Sequence, residues 1–233
     1  MRRFGPRLGG LAVGLPLTSG PISLFLAIEQ GREFARSAAA GTIAGLTGVV
    51  AFSAGYAVAA GSMHWVGSLA VALLVYLVAS VILSALVLDL SLATALTLAS
   101  IVIARMFMPP TRSERARTPP PAWDLPARTA VATAVVVLLT EGARALGPRV
   151  TGLLSAFPLF VAVLAAFTHA QNGATAARAL LRGVVGALPS FTMFFVCIGS
   201  GLHWLDVATV YLVAVVATAA TQLVGLRWWA RPD

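Results

Sequence analysis

The sequence predicts an all-α, polytopic membrane helical bundle of about eight transmembrane helices, built from two inverted-topology repeats. Three observations predict it. Hydrophobic residues make up 59% of the chain and charged residues only 10%, with a mean hydropathy of +0.91, outside the range of a soluble globular domain. The stretch from Gly5-Pro6-Arg7 to Leu46 recurs without a gap from Gly147-Pro148-Arg149 to Leu188. An odd number of apparent membrane crossings separates the copies, so they face opposite ways.

The copies share Gly5/Gly147, Pro6/Pro148, Arg7/Arg149, Gly10/Gly152, Leu11/Leu153, Pro16/Pro158, Leu17/Leu159, Phe25/Phe167, Gly31/Gly173, Ala35/Ala177, Arg36/Arg178, Gly41/Gly183 and Leu46/Leu188. That is 13 of 42 aligned positions, where composition alone gives about a third of that number. After a three-residue slip, Gly61-Ser62-Met63-His64-Trp65 also meets Ser200-Gly201-Leu202-His203-Trp204.

A spanning helix needs about 20 apolar residues to cross about 30 Å of hydrocarbon. Eight segments qualify, near 8–28, 37–59, 65–86, 88–106, 127–146, 150–169, 179–199 and 206–226. The start, Met1-Arg2-Arg3 before an apolar run, resembles a signal peptide, but its counterpart at Gly147 is internal, so the first segment is expected to be retained. Helices 4 and 5 reach full length only by including Asp89 or Arg105, and Glu141 or Arg144. With a cytoplasmic N-terminus, only Arg32, Arg36, Arg144 and Arg149 of the sixteen arginines fall outside. This positive-inside bias assigns both termini to the cytoplasm. Residues 109–126, with Pro119-Pro120-Pro121 and Arg112, Arg115 and Arg117, can neither bury a core nor continue a helix. They read as a cytoplasmic linker between units 1–108 and 127–233. Helices 1, 2 and 3 pair with 6, 7 and 8, helix 5 completes the second unit, and helix 4 has no clear partner. Whether helix 4 takes the place of a lost first helix stays open.

The net charge of +8 comes from arginine with no lysine. No stretch interleaves these cations with aromatic residues as a nucleic-acid groove would. The lysine-free composition points to a GC-rich coding bias, and with it to a bacterial inner membrane. A single cysteine, Cys197, excludes an internal disulfide and reads as a small core residue. No phosphate loop, metal-ligand set or nucleophile with its base is present, and the sequence implies no enzyme activity, metal or cofactor.

Proline inside a membrane helix costs about 3 kcal/mol or more unless neighbours compensate. Both copies carry one: Pro16 with Thr18, Ser19 and Gly20 in helix 1, and Pro158 after Ser155 and Phe157 in helix 6. Paired broken helices form substrate sites in inverted-repeat transporters; a packing kink is the alternative. Arg7 and Arg149 are candidate contacts for anionic headgroups or substrate, or snorkelling anchors. Ionisable groups in hydrocarbon are functional candidates, which selects Glu141 and the helix-end Asp89 for coupling, with a Glu141–Arg144 interfacial pair as the alternative. His64-Trp65 and His203-Trp204 read as an aromatic belt, and His169 as a solvated loop residue. Gly41-Thr42-Ile43-Ala44-Gly45 predicts tight packing of helix 2.

Gly152-Leu153-Leu154, Phe157-Pro158-Leu159-Phe160, His169, Gly173, Ala177, Leu181, Gly183 and Leu188-Pro189 resemble the small four-helix inner-membrane proteins of the GlpM type. The resemblance covers about residues 127–226 and rests on a glycine-proline-aromatic pattern. It implies that residues 5–86 are a diverged copy with Ala27 in place of His169, and a link to envelope polysaccharide production.

The expected function is transport: a carrier or flippase-like protein moving a small or amphiphilic solute between the two breaks. A non-catalytic subunit or scaffold for envelope assembly is the alternative. The expected partners are the lipid bilayer and a small-molecule or lipid-like substrate, with room for a second copy of the chain or an envelope-assembly partner.

Overall fold

In the computed structural model, residues 16, 19–109, 123–146 and 158–229 are described; for 135, 136, 138–146 and 226–229 this covers the helix but not the side chains. The described residues form seven helices: α1 (Ser19–Glu29), α2 (Arg32–Ala59), α3 (Trp65–Ser84), α4 (Leu90–Phe107), α5 (Asp124–Leu146), α6 (Leu159–Gly201) and α7 (Val207–Trp229). Five of them, α2, α3, α4, α6 and α7, are long and apolar enough to cross a membrane, as a multi-pass membrane protein requires. Their outward faces are apolar: Leu74, Val81 and Ile82 on α3, Val102 and Ile103 on α4, and Leu212 and Val216 on α7 are all exposed. Hydrocarbon satisfies such faces, whereas water would not.

The described residues supply five helices of spanning length rather than eight. The sixth and seventh expected helices follow one another directly within α6 (Leu159–Gly201), divided at Gly173, whose backbone is not helical. We treat it as α6a (159–172) and α6b (174–201). The first expected helix is described only as the eleven-residue α1, and residues 1–15, with Arg7, lie outside the described residues. So do Thr18, Ser155, Phe157 and Arg149. α5 begins at Asp124, three residues inside the expected linker.

Two glycines turn the chain. Gly31 (φ 90, ψ 168) stands between α1 and α2, and Gly173 (φ 82, ψ 175) between α6a and α6b. This backbone region is open essentially to glycine alone, and no other described residue has a positive φ. The two lie 142 positions apart, the offset of the aligned stretches. That offset recurs at the helix ends: α2 stops at Ala59 and α6b at Gly201, and α3 starts at Trp65 and α7 at Val207. The three-residue slip is therefore unnecessary. His64 is the N-cap of α3, and its structural counterpart is Asp206, which caps α7, rather than His203. The Thr209 hydroxyl and then its backbone N–H hold the Asp206 carboxyl below the usual carboxylate range.

Pro16 and Pro158 stand at helix starts, not within helices. Gly20 N–H donates to the Pro16 carbonyl and Ala162 N–H to that of Pro158, each at 2.8 Å, so both prolines supply the first acceptor of a helix and lose no internal hydrogen bond. At 1.5 Å per residue α1 is about 16 Å long and α6a about 21 Å, both shorter than the hydrocarbon is thick. Each is joined through its glycine to a full-length helix.

Two apolar clusters fill the bundle. One joins Phe52 and Tyr56 of α2, Ala72 and Tyr76 of α3, and Ala177, Leu181 and Val185 of α6. The other joins Ala35, Ala39 and Ile43 of α2, Phe194 and Ile198 of α6b, and Ala214 of α7. Seven positions of the first cluster, among them Phe52, Ala72 and Val185, have their counterparts 142 residues away in the second (Phe194, Ala214 and Ile43). α4 packs in the groove between α2 and α6b. There Thr97 donates to Ile43 O at 2.8 Å, and Leu90 fills the space over Gly199. α5 packs on α6 instead, placing Arg128 over the Phe167 ring at 5.3 Å. Among the described residues the counterpart face of α1 has no such cover, and Phe25 is 59% exposed. Helix 4 accordingly does not fill the place of a first helix in the first unit.

The tight glycines of α2 differ from those the sequence pattern suggests. Gly41 faces open space, while Gly48 lies under the Tyr76 ring and Gly55 under Val75. A Cβ on Gly31 or Gly173 would also meet nothing within 4 Å, so any cost of adding one is conformational. Gly31→Ala and Gly173→Ala are each expected to lower stability by about 1–3 kcal/mol, while Gly41→Ala is neutral or stabilising by up to about 1 kcal/mol. Thermal unfolding of the detergent-purified variants measures this; equal losses at all three positions would refute the backbone account.

Candidate transport site

α2 and α6b run past one another, and each end of the pair is closed by an arginine. Arg36, near the start of α2, donates from Nε to the carbonyl of Gly199 near the end of α6b, at 3.1 Å. Arg178, near the start of α6b, donates from Nε to the carbonyl of Ala57 near the end of α2, at 2.8 Å. Donors and acceptors alike are 142 positions apart. The last carbonyls of a helix lack partners within it, and a cation there is favoured by the helix dipole. Each arginine therefore caps the other helix's C-terminus, and a hydrogen bond of this charged type contributes about 1.5–3 kcal/mol.

The two ends differ in what surrounds the arginine. At the Gly31 end, Arg36 also pairs with Glu33 at 2.7 Å. It lines an open cleft of about 300 Å³ with Ser37, Ala40, Asp89, Leu90 and Gly199. Asp89, selected for coupling, is the N-cap of α4 and accepts from Leu92 N–H at 2.7 Å. Glu29, Glu33, Asp89 and Asp206 share this end with Arg32 and Arg36.

The Gly173 end is more closely packed and more basic. The Arg178 guanidinium rests on Gly61, where any Cβ would collide with it. His169 lies within α6, half-buried, with Nδ1 3.3 Å from the Tyr56 hydroxyl, so it is not the solvated loop residue expected. Arg182 donates to the carbonyls of Met108 and Pro109 at 2.6 and 3.2 Å, closing the C-terminus of α4. Asp124 accepts from Arg128 Nε at 2.9 Å and from Gln171 Nε2 at 2.6 Å, tying α5 to α6a. The oxygen of the Gln171 amide, Oε1, is buried with no partner among the described residues. Neither Tyr56 nor Asp124 stood out in the sequence, because their roles depend on helices packed across 113 and 47 positions of chain.

Between these ends the polar groups are few. Ser190 Oγ lies 2.5 Å from Gln222 Oε1, joining α6b to α7; the counterpart positions are Gly48 and Ser80, near Tyr76. Gly20, beside Pro16, packs on the Phe194 ring, and the buried Ser19 hydroxyl has no partner. Of the proline-flanking candidates, then, Pro16, Ser19 and Gly20 gather at the start of α1, and Pro158 at the start of α6a. Glu141 falls within α5, with its side chain outside the described residues. No group of three His, Cys, Asp or Glu side chains suited to a metal is found among the described residues.

The Asp124 contacts are testable. Its carboxylate accepts from both Arg128 and Gln171 and is largely shielded, at 12% side-chain exposure. Asp124→Ala strands both donors and is expected to cost about 1–3 kcal/mol, with Asp124→Asn costing less. Thermal unfolding in detergent checks this, and an unchanged midpoint for Asp124→Ala would mean that α5 is held by its apolar face alone.

No protein-family model, curated protein or solved structure matches this chain, so the GlpM resemblance rests on the quoted residues alone.

Proposed function

We propose that this chain is an integral membrane transport protein, a carrier or flippase-like protein for a small or amphiphilic solute, built as two inverted copies of one helical unit. The observation that carries this reading is the reciprocal pair of arginine contacts, Arg36 on Gly199 O and Arg178 on Ala57 O. Equivalent residues make equivalent bonds at opposite ends of the α2–α6b pair. A two-fold axis in the membrane plane relates such contacts, and two-fold relation of this kind supplies two states of similar energy, each open to one face.

The helix starts add to it. α1 and α6a each begin at a proline, so each presents a dipole-positive, N–H-bearing end of the kind that receives substrate in inverted-repeat transporters. The charges give the orientation. Arg105, Arg128, Arg178 and Arg182 lie at the Gly173 end and most acids at the other, so the Gly173 end is cytoplasmic by the positive-inside rule. The expected setting is a bacterial inner membrane with both termini in the cytoplasm.

Cysteines introduced at Ser62 and Thr111 should be labelled only from the cytoplasmic side, and one at Ser200 only from outside. Labelling of Thr111→Cys from outside would reject the orientation. Purified protein in liposomes should move a solute of the class identified by comparing lipids and metabolites with a deletion strain. Absence of flux together with an obligate copurifying partner would assign the chain to an envelope-assembly scaffold instead.

Coupling has one intramembrane carboxylate to draw on besides the cap Asp89. Glu141→Gln should abolish dependence of uptake on a pH gradient while leaving insertion and folding intact. Retained proton-driven uptake would make Glu141 a structural partner of Arg144.

A further inference from the structure

We propose that Arg36 and Arg178 are the two gates of this protein, both made in the structure and each a latch that opens only while the other stays closed. This rests on the transport reading and goes beyond it by naming the residues that exchange. Each latch joins the first turns of one full-length helix to the last turn of the other. Its acceptor is a helix-terminal carbonyl for which no backbone donor is recorded: Ala60 N–H goes to Tyr56 O, Gly61 N–H to Val58 O, and Leu202 N–H to Ile198 O. An unpaired carbonyl and an unpaired guanidinium are costly in a dry interface but not in water. A latch can therefore break only at an end that hydrates, which couples loss of the bond to access from that side.

The surroundings fix which end opens more readily. Arg36 has a second partner in Glu33 and already borders the open cleft, so on release it stays paired. The counterpart of Glu33 is Thr175, which offers Arg178 no charge. Arg178 is instead packed against Gly61, beside the Tyr56–His169 contact and the Asp124–Gln171 tie. Both latches are made in the structure, and the Gly31 end is the one that releases more readily, so opening of the Gly173 end is the rarer event.

Two reporters test this. Ala35 and Ala177 precede the two arginines and are 3% and 0% exposed. Ala35→Cys and Ala177→Cys, each in a Cys197→Ser background, are labelled with a water-soluble maleimide in oriented membrane vesicles. Arg178→Ala is expected to raise labelling at position 177 by about tenfold or more and to lower it at position 35. Arg36→Ala is expected to do the reverse, and Arg→Lys at either site, which keeps a charged donor, to give an intermediate pattern that remains readable where the alanine variant does not fold. If both reporters rise together, or only the nearer one changes, the arginines are packing contacts and the inference is overturned. Reciprocal labelling without solute flux in liposomes would keep the latches and remove the transport reading; flux without reciprocity would do the opposite.

Discussion

Backbone groups at helix ends need partners that hydrocarbon cannot provide, and in this protein the crossing of α2 and α6b meets that need with two arginines. Ala57 O and Gly199 O are terminal carbonyls within a bundle whose outer surface is apolar, and each receives the guanidinium of the other helix. The arrangement dictates much of its neighbourhood. At Gly61 the Arg178 guanidinium occupies the space of a Cβ, so a side chain there would displace it. α4 starts beside Gly199, where Leu90 takes the room that a Cβ would need. The buried apolar residues then divide into two clusters, one toward each latch.

The second constraint is conformational. Gly31 and Gly173 turn the chain in a backbone region closed to other residues, and each joins a shorter helix to a full-length one. Pro16 and Pro158 complete the device from the other side. Placed at the first acceptor of a helix, proline has no N–H to waste and its fixed φ suits the start of the turn. A helix too short to span would leave its unpaired N–H groups within the bilayer, an arrangement tolerated only where protein or a water-lined path receives them. That is why the proposed function and the fold share the same few glycines and prolines.

Polar contacts inside the bundle are local and economical. Thr97 bonds across to Ile43 O, Ser190 meets Gln222, and Tyr211 donates to Ser23. Bonds of this type contribute about 0.6–2 kcal/mol in membrane proteins, enough to fix register between helices without holding them rigidly. Charged side chains are kept to the ends, where they hydrate or pair. Basic groups concentrate at the Gly173 end, where Arg128, Arg178 and Arg182 are each held by a carboxylate or by carbonyls.

The sequence by itself determined the class of protein, the offset between its two related stretches, and the identity of the residues that matter most to the backbone. Composition forces burial in lipid, and Gly31/Gly173, Pro16/Pro158 and Arg36/Arg178 were legible as matched pairs because glycine, proline and arginine act through backbone geometry and charge, which local sequence records. What it misjudged depended on partners distant in the chain. Hydropathy separates the sixth and seventh helices by a loop, because a window of apolar residues cannot see a one-residue turn at glycine. The bond of the Asp89 carboxylate to the first turn of its own helix was not anticipated. His169 looked solvated until α2 brought Tyr56 against it. Only the tertiary structure could pair Arg36 with Gly199 and Arg178 with Ala57, since each acceptor is a carbonyl common to every residue. Which carbonyl lies within reach is decided by how two helices, more than a hundred residues apart, cross.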